Sequence, residues 1–167
     1  MAAKPTVFYA AIDVDYPGTH GGSSHVGEAV RSLKKFCGKV YLLCKWRSNQ
    51  SFLENRDNLT IIRLPVPNIP VIRTAAYFLY SLGTALFLRL ADNLDSIYER
   101  GRIFGGGALL IGFITGRKTY YELNEPVLQV PLLLGELKEN SITYKVIEKW
   151  HRFMMKHASV IVATHKT

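Results

Sequence analysis

Cysteine is scarce in this 167-residue chain, which holds only Cys37 and Cys44. They form no C-x-x-C pair, and no Cys/His cluster has zinc spacing, so no metal site is expected. Both read as small buried hydrophobes, which suits a reducing compartment. Other absences narrow the function further. There is no G-x-G-x-x-G fingerprint and no G-x-x-x-x-G-K-[ST] loop, so neither a dinucleotide fold signature nor a P-loop is present. An arginine-rich tail and an aromatic RNA-binding motif are both missing, which argues against nucleic acid as a ligand. No Ser-His-Asp or paired-carboxylate arrangement emerges from spacing, so no nucleophile is expected. Internal repeats and low-complexity stretches are absent. Met1-Ala2-Ala3-Lys4-Pro5 leads straight into an apolar strand, so no signal peptide is expected.

What is present is basic and slightly apolar. Lysine and arginine number 21 against 13 acids, for a formal net charge of +8. The hydrophobic fraction is 48%, the mean hydropathy +0.06 and the sequence pI about 9.6. Such a balance favours phosphates or an acidic membrane surface as partners. The length fits one domain that buries about two-thirds of its unfolded surface.

Strand and helix patterns alternate along the chain. Apolar runs over Thr6–Val14, Lys39–Trp46, Leu59–Val66, Ser96–Arg100, Lys118–Leu123 and Ser159–Ala163 read as strands. Helical patterns cover Ser24–Phe36, with Ser23 or Ser24 as N-cap, then Val71–Leu90, Arg102–Thr115 and Ile142–His157. The fold class expected is therefore α/β: a single-domain, Rossmann-like parallel sheet with helices on both faces. Ligands in such sheets sit at the carboxyl ends of the strands, where strand order reverses. The segments to watch are Asp13 to His25, Glu99 to Gly107 and Glu122 to Pro126.

The first of these holds a glycine pair, Gly21-Gly22, followed by Ser23-Ser24-His25. A strand, a glycine turn and a helix start can hold phosphate, because bare backbone approaches the anion and unpaired N–H groups point at it. The competing reading is a tight turn that needs positive φ at one or both glycines.

Thr74 to Leu88 carries no charge and is flanked by Arg73 and Arg89. Three readings stay open: a helix buried in the core, an interfacial helix, or a span, for which some fifteen residues fall short of the roughly 20 required. The interfacial reading makes Arg73, Tyr77, Phe78, Tyr80, Phe87 and Arg89 membrane-facing candidates on an anionic surface. Val160-Ile161-Val162-Ala163-Thr164 reads as an interior strand close to the last residue. The expectation is that the chain is part of a longer protein whose remaining half begins beyond Thr167.

Three segments together resemble the N-terminal domain of glycosyltransferase family 4, the retaining GT-B-type sugar transferases. They are Gly21-Gly22-Ser23-Ser24-His25-Val26-Gly27-Glu28 with Leu33 and Gly38-Lys39-Val40; Asp95-Ser96-Ile97-Tyr98-Glu99-Arg100 with Gly105-Gly106-Gly107-Ala108-Leu109-Leu110; and Tyr120-Tyr121-Glu122-Leu123-Asn124-Glu125-Pro126. Ala158 to Thr164 is similar to the strand that ends that domain. The resemblance implies two Rossmann-like domains across a cleft, with the nucleotide held mostly by a C-terminal domain that carries a Glu-x7-Glu element. This chain would be the acceptor-side half, inactive alone, and either a cut piece or one part of a split enzyme. The implied partners are the C-terminal domain, a nucleotide-sugar donor for the whole enzyme, and a glycan or lipid-linked acceptor; no cofactor is expected in this domain. The location expected is cytoplasmic, peripheral at the inner face of the membrane, the membrane part resting on the uncharged helix and the net charge rather than on the resemblance.

The same resemblance places Gly21 and Gly22 near the donor diphosphate and the acceptor, with the N–H groups of Ser23 and Ser24 as anion donors. Many family members carry a His-x-His pattern at the fourth strand end. Here the stretch reads Tyr98-Glu99-Arg100, so Arg100 becomes a catalytic candidate as a phosphate binder, with Glu122 beside it. The alternative for Arg100 is an ion pair with Glu99 or Glu122. Tyr16, His20, Glu99, Asn124 and Glu125 are candidates for the acceptor cleft, although Asn124 and Glu125 also suit a turn before Pro126. His25 reads as structural. Two other functions remain: a stand-alone phosphate- or nucleotide-binding module, and a membrane-docking subunit without catalysis.

Overall fold

The computed structural model describes residues 3–103, 105–123, 128–133, 135, 137–139 and 141–163. The elements run β1 (Thr6–Asp15), α1 (Gly21–Phe36), β2 (Lys39–Lys45), β3 (Leu53–Arg56), β4 (Leu59–Leu64), α2 (Pro70–Ala91), β5 (Ser96–Arg100), α3 (Gly107–Thr115), β6 (Lys118–Leu123), α4 (Gln129–Leu133), α5 (Ile142–His157) and β7 (Val160–Ala163). One seven-stranded sheet has the order β3-β4-β2-β1-β5-β6-β7. Every pairing is parallel except β3 with β4. The six parallel strands, taken in chain order, are arranged 3-2-1-4-5-6. Strand order therefore reverses between β1 and β5.

The sheet is covered on both faces, as its apolar strands require. Phe8, Ala10, Ile12, Leu43 and Ile97 pack on one face against Ala85 and Leu88 of α2, Leu109 of α3 and Met154 of α5. Val7, Tyr9, Ala11, Leu42 and Ile61 pack on the other against Val26 and Val30 of α1. Adjacent helices α2 and α3 meet through a glycine. A Cβ at Gly107 would sit well inside van der Waals contact of the Phe78 carbonyl oxygen, 2.7 Å from Ser81 Oγ and 3.0 Å from the Leu82 amide nitrogen.

Several boundaries differ from the sequence reading. The segment Leu53–Arg56 is mostly exposed and has no apolar run, yet it forms β3. It pairs antiparallel with β4 through a two-residue turn at Asp57-Asn58, where Asp57 takes φ 51°. Helix α3 begins at Gly107 instead of Arg102. Its start is set by the buried Glu99 carboxylate, which accepts from the N–H of Gly106 (2.8 Å) and of Leu109 (2.9 Å). Helix α5 matches its expected span, capped by Ser141, whose hydroxyl accepts from Tyr144 N at 3.1 Å.

The long apolar helix is buried on one side and exposed on the other. Ser81, Ala85 and Leu88 are buried against the sheet, while Ile72, Leu79, Phe87 and Leu90 stand in the open. Tyr77 and Tyr80 pack against the core, and Phe78 lies edge-on to Trp150 with ring centroids 6.0 Å apart. Of the expected membrane-facing aromatics, Phe87 alone is exposed; Arg73 is exposed and Arg89 half-buried. The stretch Ile72–Ala91 has the length and composition of a bilayer span. Its inner side, however, is fixed in the layer that packs on the sheet.

Two tests follow from this packing. Replacing Gly107 with alanine drives a methyl into the α2 backbone and should cost about 1–3 kcal/mol in urea unfolding. The matching change at Gly83, where nothing lies within 4 Å, should stabilise by up to about 1 kcal/mol. The second concerns His151, which is buried on α5 with Nδ1 2.7 Å from the Tyr121 hydroxyl. Burial pushes its pKa down from 6.5 to about 4. Between those values the unfolded chain binds a proton that the folded chain does not. Stability therefore rises with pH across that window, and roughly 3 kcal/mol is lost on acidification through it. His151→Gln, which keeps an acceptor for Tyr121, should flatten that slope in urea titrations at stepped pH.

Candidate functional site

Four segments converge at the carboxyl rim of the sheet: the end of β1, the start of α1, and the ends of β5 and β6. The end of β1 is irregular. Its register with β2 jumps between Ala11 and Asp15, so Val14 joins the face that holds Ala11. This bulge re-aims the last residues of the strand. Asp13 and Asp15 both end with side chains almost fully buried at the rim.

Arginines surround these acids. Arg102 donates from Nε to Asp13 Oδ2 at 2.7 Å and also bonds it through Nη2. Arg47 Nη2 lies 3.0 Å from Asp15 Oδ2, and the Ser23 hydroxyl lies 3.4 Å from Asp15 Oδ1. Neither Asp13, Asp15, Arg47 nor Arg102 stood out in the sequence, although the Asp-x-Asp spacing at a strand end was the available signal.

Arg100 is the residue with spare capacity. Its side chain is nine-tenths buried, and its Nε is 3.8 Å from Asp13 Oδ2, beyond hydrogen-bond reach. Among the described residues Nε and Nη1 have no hydrogen-bond partner. The guanidinium faces Gly22, where an added Cβ would lie 3.5 Å from Nη1 and 3.7 Å from Nη2. Of the two acids expected to pair with it, Glu99 projects to the opposite face to cap α3 and Glu122 is bonded to Tyr9 and His25; the carboxylate 3.8 Å from Arg100 Nε is that of Asp13, which the sequence reading did not offer.

The glycine pair is helical. Helix α1 starts at Gly21 with His20 as N-cap, and neither glycine takes a positive φ. This corrects the expected N-cap at Ser23 or Ser24 and the positive-φ turn. The Ser24 N–H already donates to the His20 carbonyl at 3.0 Å, so the open amides of the first turn are those of Gly21, Gly22 and Ser23. No side chain caps this end. Three N–H groups, the positive end of a 16-residue helix and a buried guanidinium thus meet at one place.

Beside it lies a buried polar network. Glu122 is fully buried; its Oε2 accepts from the Tyr9 hydroxyl at 2.9 Å and its Oε1 sits 3.1 Å from His25 Nε2. Burial first, and then the Glu122 carboxylate, push the Tyr9 pKa far above the usual tyrosine range, which keeps the hydroxyl a donor. His25, taken from sequence as structural, is half-exposed at the rim and bonded to a catalytic candidate. His20 is exposed, with Nε2 3.4 Å from Arg47 Nη2. Tyr16 supports the loop: its carbonyl accepts from buried Arg63 Nε at 3.1 Å, and its ring lies 3.6 Å from the Cβ position at Gly27. Asn124 and Glu125 lie outside the described residues. Among the described residues no cluster of His, Cys, Asp or Glu could hold a metal ion.

No family model matches the chain, and no curated protein matches it in sequence. Its fold matches a solved sucrose-phosphate synthase from Thermosynechococcus elongatus with a TM-score of 0.60 at 12% identity, over 95% of this chain and 41% of that one. The chain has the fold of a Rossmann-like GT-B half. It spans about two-fifths of the length of that enzyme, and the likeness is one of fold.

Removing the Glu122 carboxylate should strand the Tyr9 hydroxyl in the interior. Glu122→Ala is expected to cost about 3 kcal/mol and Tyr9→Phe about 1 kcal/mol. The double variant should lose less than the sum, as read from a double-mutant cycle in urea.

Proposed function

We propose that this chain is the acceptor-side domain of a retaining glycosyltransferase, moving a sugar from a nucleotide-sugar donor to a glycan or lipid-linked acceptor. The observation that carries the reading is the buried Arg100 guanidinium, two of whose nitrogens have no hydrogen-bond partner among the described residues, set against the first turn of α1 at the reversal of strand order. A cation and N–H groups held away from bulk water suit an anion that gains charge during reaction.

In this scheme the bond from the anomeric carbon to the diphosphate breaks as the acceptor oxygen bonds the same face of that carbon. The acceptor proton passes to the departing diphosphate. Arg100 and the amides of Gly21, Gly22 and Ser23 would hold the developing negative charge, so no protein nucleophile is required. The pair His25–Glu122 would orient the acceptor hydroxyl at the rim, next to His20. A second Rossmann-like domain would hold the nucleotide and choose the sugar. The domain itself would need no cofactor and no nucleic acid, and would work in the cytoplasm.

Two measurements test this reading. Pyrophosphate added to the chain should shift the amide resonances of Gly21, Gly22 and Ser23 with millimolar affinity. Arg100→Met should weaken that binding at least tenfold. Gly22→Ala should also weaken it without lowering the unfolding midpoint, because its methyl meets only ordinary contacts. Binding unchanged in Arg100→Met overturns the reading. Micromolar nucleotide binding by the chain alone would favour the stand-alone binding module instead. In a polypeptide that carries this domain with its nucleotide-sugar domain, Arg100→Met should lower kcat/KM for sugar transfer at least tenfold.

A further inference from the structure

Helix α2 carries an uncovered apolar row: Ile72, Ala75, Leu79, Gly83, Leu86 and Leu90, at intervals of three or four residues. At about 100° per residue these positions stay within roughly 60° of one line. At 1.5 Å per residue the row is about 27 Å long. Leu79 is 58% exposed, Leu90 79%, and Phe87 on the shoulder of the row 66%. Among the described residues nothing lies within 4 Å of the Cβ position at Gly83, so none of them crosses the row there. The opposite side of the helix holds Ser81, Ala85 and Leu88 in the interior, which fixes the row outward.

Charge identifies the occupant. No acidic residue occurs between Asp57 and Asp92. Arg73 and Arg89 lie about 100° to either side of the row, one on each shoulder. An arginine stem there covers apolar surface while its guanidinium reaches a polar boundary. A second copy of the chain would bring another net charge of +8 against the first, whereas an anionic bilayer attracts it. Crossing the bilayer is not available to α2, because its ends join β4 and β5 of one sheet and its inner side is part of the core.

We propose that α2 docks the domain on an anionic lipid bilayer. The helix lies in the interface plane with Ile72, Leu79, Leu86, Phe87 and Leu90 at the acyl boundary and Arg73 and Arg89 at the phosphates. The proposal uses none of the rim residues assigned to anion binding, so the inference stands or falls independently of the glycosyltransferase reading. Helix α2 runs from the rim, after β4, back to the opposite edge, before β5. Docking along it would turn the mouth of the rim sideways, along the membrane surface.

Flotation of the chain with phosphatidylcholine vesicles, with and without phosphatidylglycerol, tests the proposal. Binding that requires phosphatidylglycerol and weakens with salt is expected. The pair Leu79→Glu and Leu86→Glu should reduce it at least tenfold at an unchanged unfolding midpoint, since both side chains are exposed. If that double variant does not fold, Arg73→Gln decides: it should weaken binding to the anionic vesicles severalfold. Absence of flotation, or flotation unchanged in these variants, overturns the proposal. So does a dimer in sedimentation that the double variant dissolves while no flotation occurs, which would make a second copy the occupant.

Discussion

The adjacency of β1 and β5 is the constraint from which the site follows. Both strands are parallel and central, yet the chain leaves β1 toward β2 and leaves β5 toward β6. Their carboxyl ends cannot be bridged by one connection, and a crevice opens between them. Helix α1 points its first turn into that crevice from one side, and Arg100 enters at the end of β5. Neither segment needs the other for its own secondary structure. Only the sheet brings them together.

The electrostatics of the rim sort its arginines into two kinds. Arg47 and Arg102 pair with Asp15 and Asp13, and Arg63 is held by Glu54 and two carbonyls. These are cations whose desolvation is offset by partners. Among the described residues Arg100 keeps Nε and Nη1 without hydrogen bonds while almost fully buried, an arrangement that is costly unless an anion completes it. Glu122 stands at the other limit. With Tyr9 and His25 bonded to its carboxylate, it couples the interior of the sheet to the rim and holds a half-exposed imidazole in place.

Most of the fold was legible because buried parallel strands read as continuous apolar runs. Strands β5 and β6 and helix α5 fall on their expected residues. Strand β3 was not legible, because Leu53-Glu54-Asn55-Arg56 is an exposed edge segment whose pairing depends on the turn at Asp57. Within the site, the glycine pair and Arg100 were visible as residue types at strand ends. Their geometry was not, because nothing local says that α1 begins at Gly21. Glu99 and Glu122 are separated from each other by the pleat. Facing assignments follow from alternation along β5 and β6, but only the three-dimensional capping of α3 explains why Glu99 leaves the rim. The roles of Asp13 and Asp15 depend on a bulge in β1, and that of His25 on a contact 97 residues away in sequence. Of the aromatics named from sequence as membrane-facing, Phe87 is exposed, whereas Tyr77, Phe78 and Tyr80 lie on the half-buried sides of α2, because a uniformly apolar helix has no periodic signal to orient it.

The two margins of the sheet have opposite characters. At one margin the four-residue β3 runs against its neighbour and carries Glu54 and Arg56, joined to each other by an ion pair. Charge and brevity there discourage a foreign chain from stitching itself on. At the other margin, among the described residues, β7 presents Val160 and Ile161, both over a third exposed, with no charge between Val160 and Ala163. Among the described residues the two margins therefore differ in their tendency to aggregate: main-chain donors and acceptors beside aliphatic side chains make β7, rather than β3, the margin more open to intermolecular strand addition.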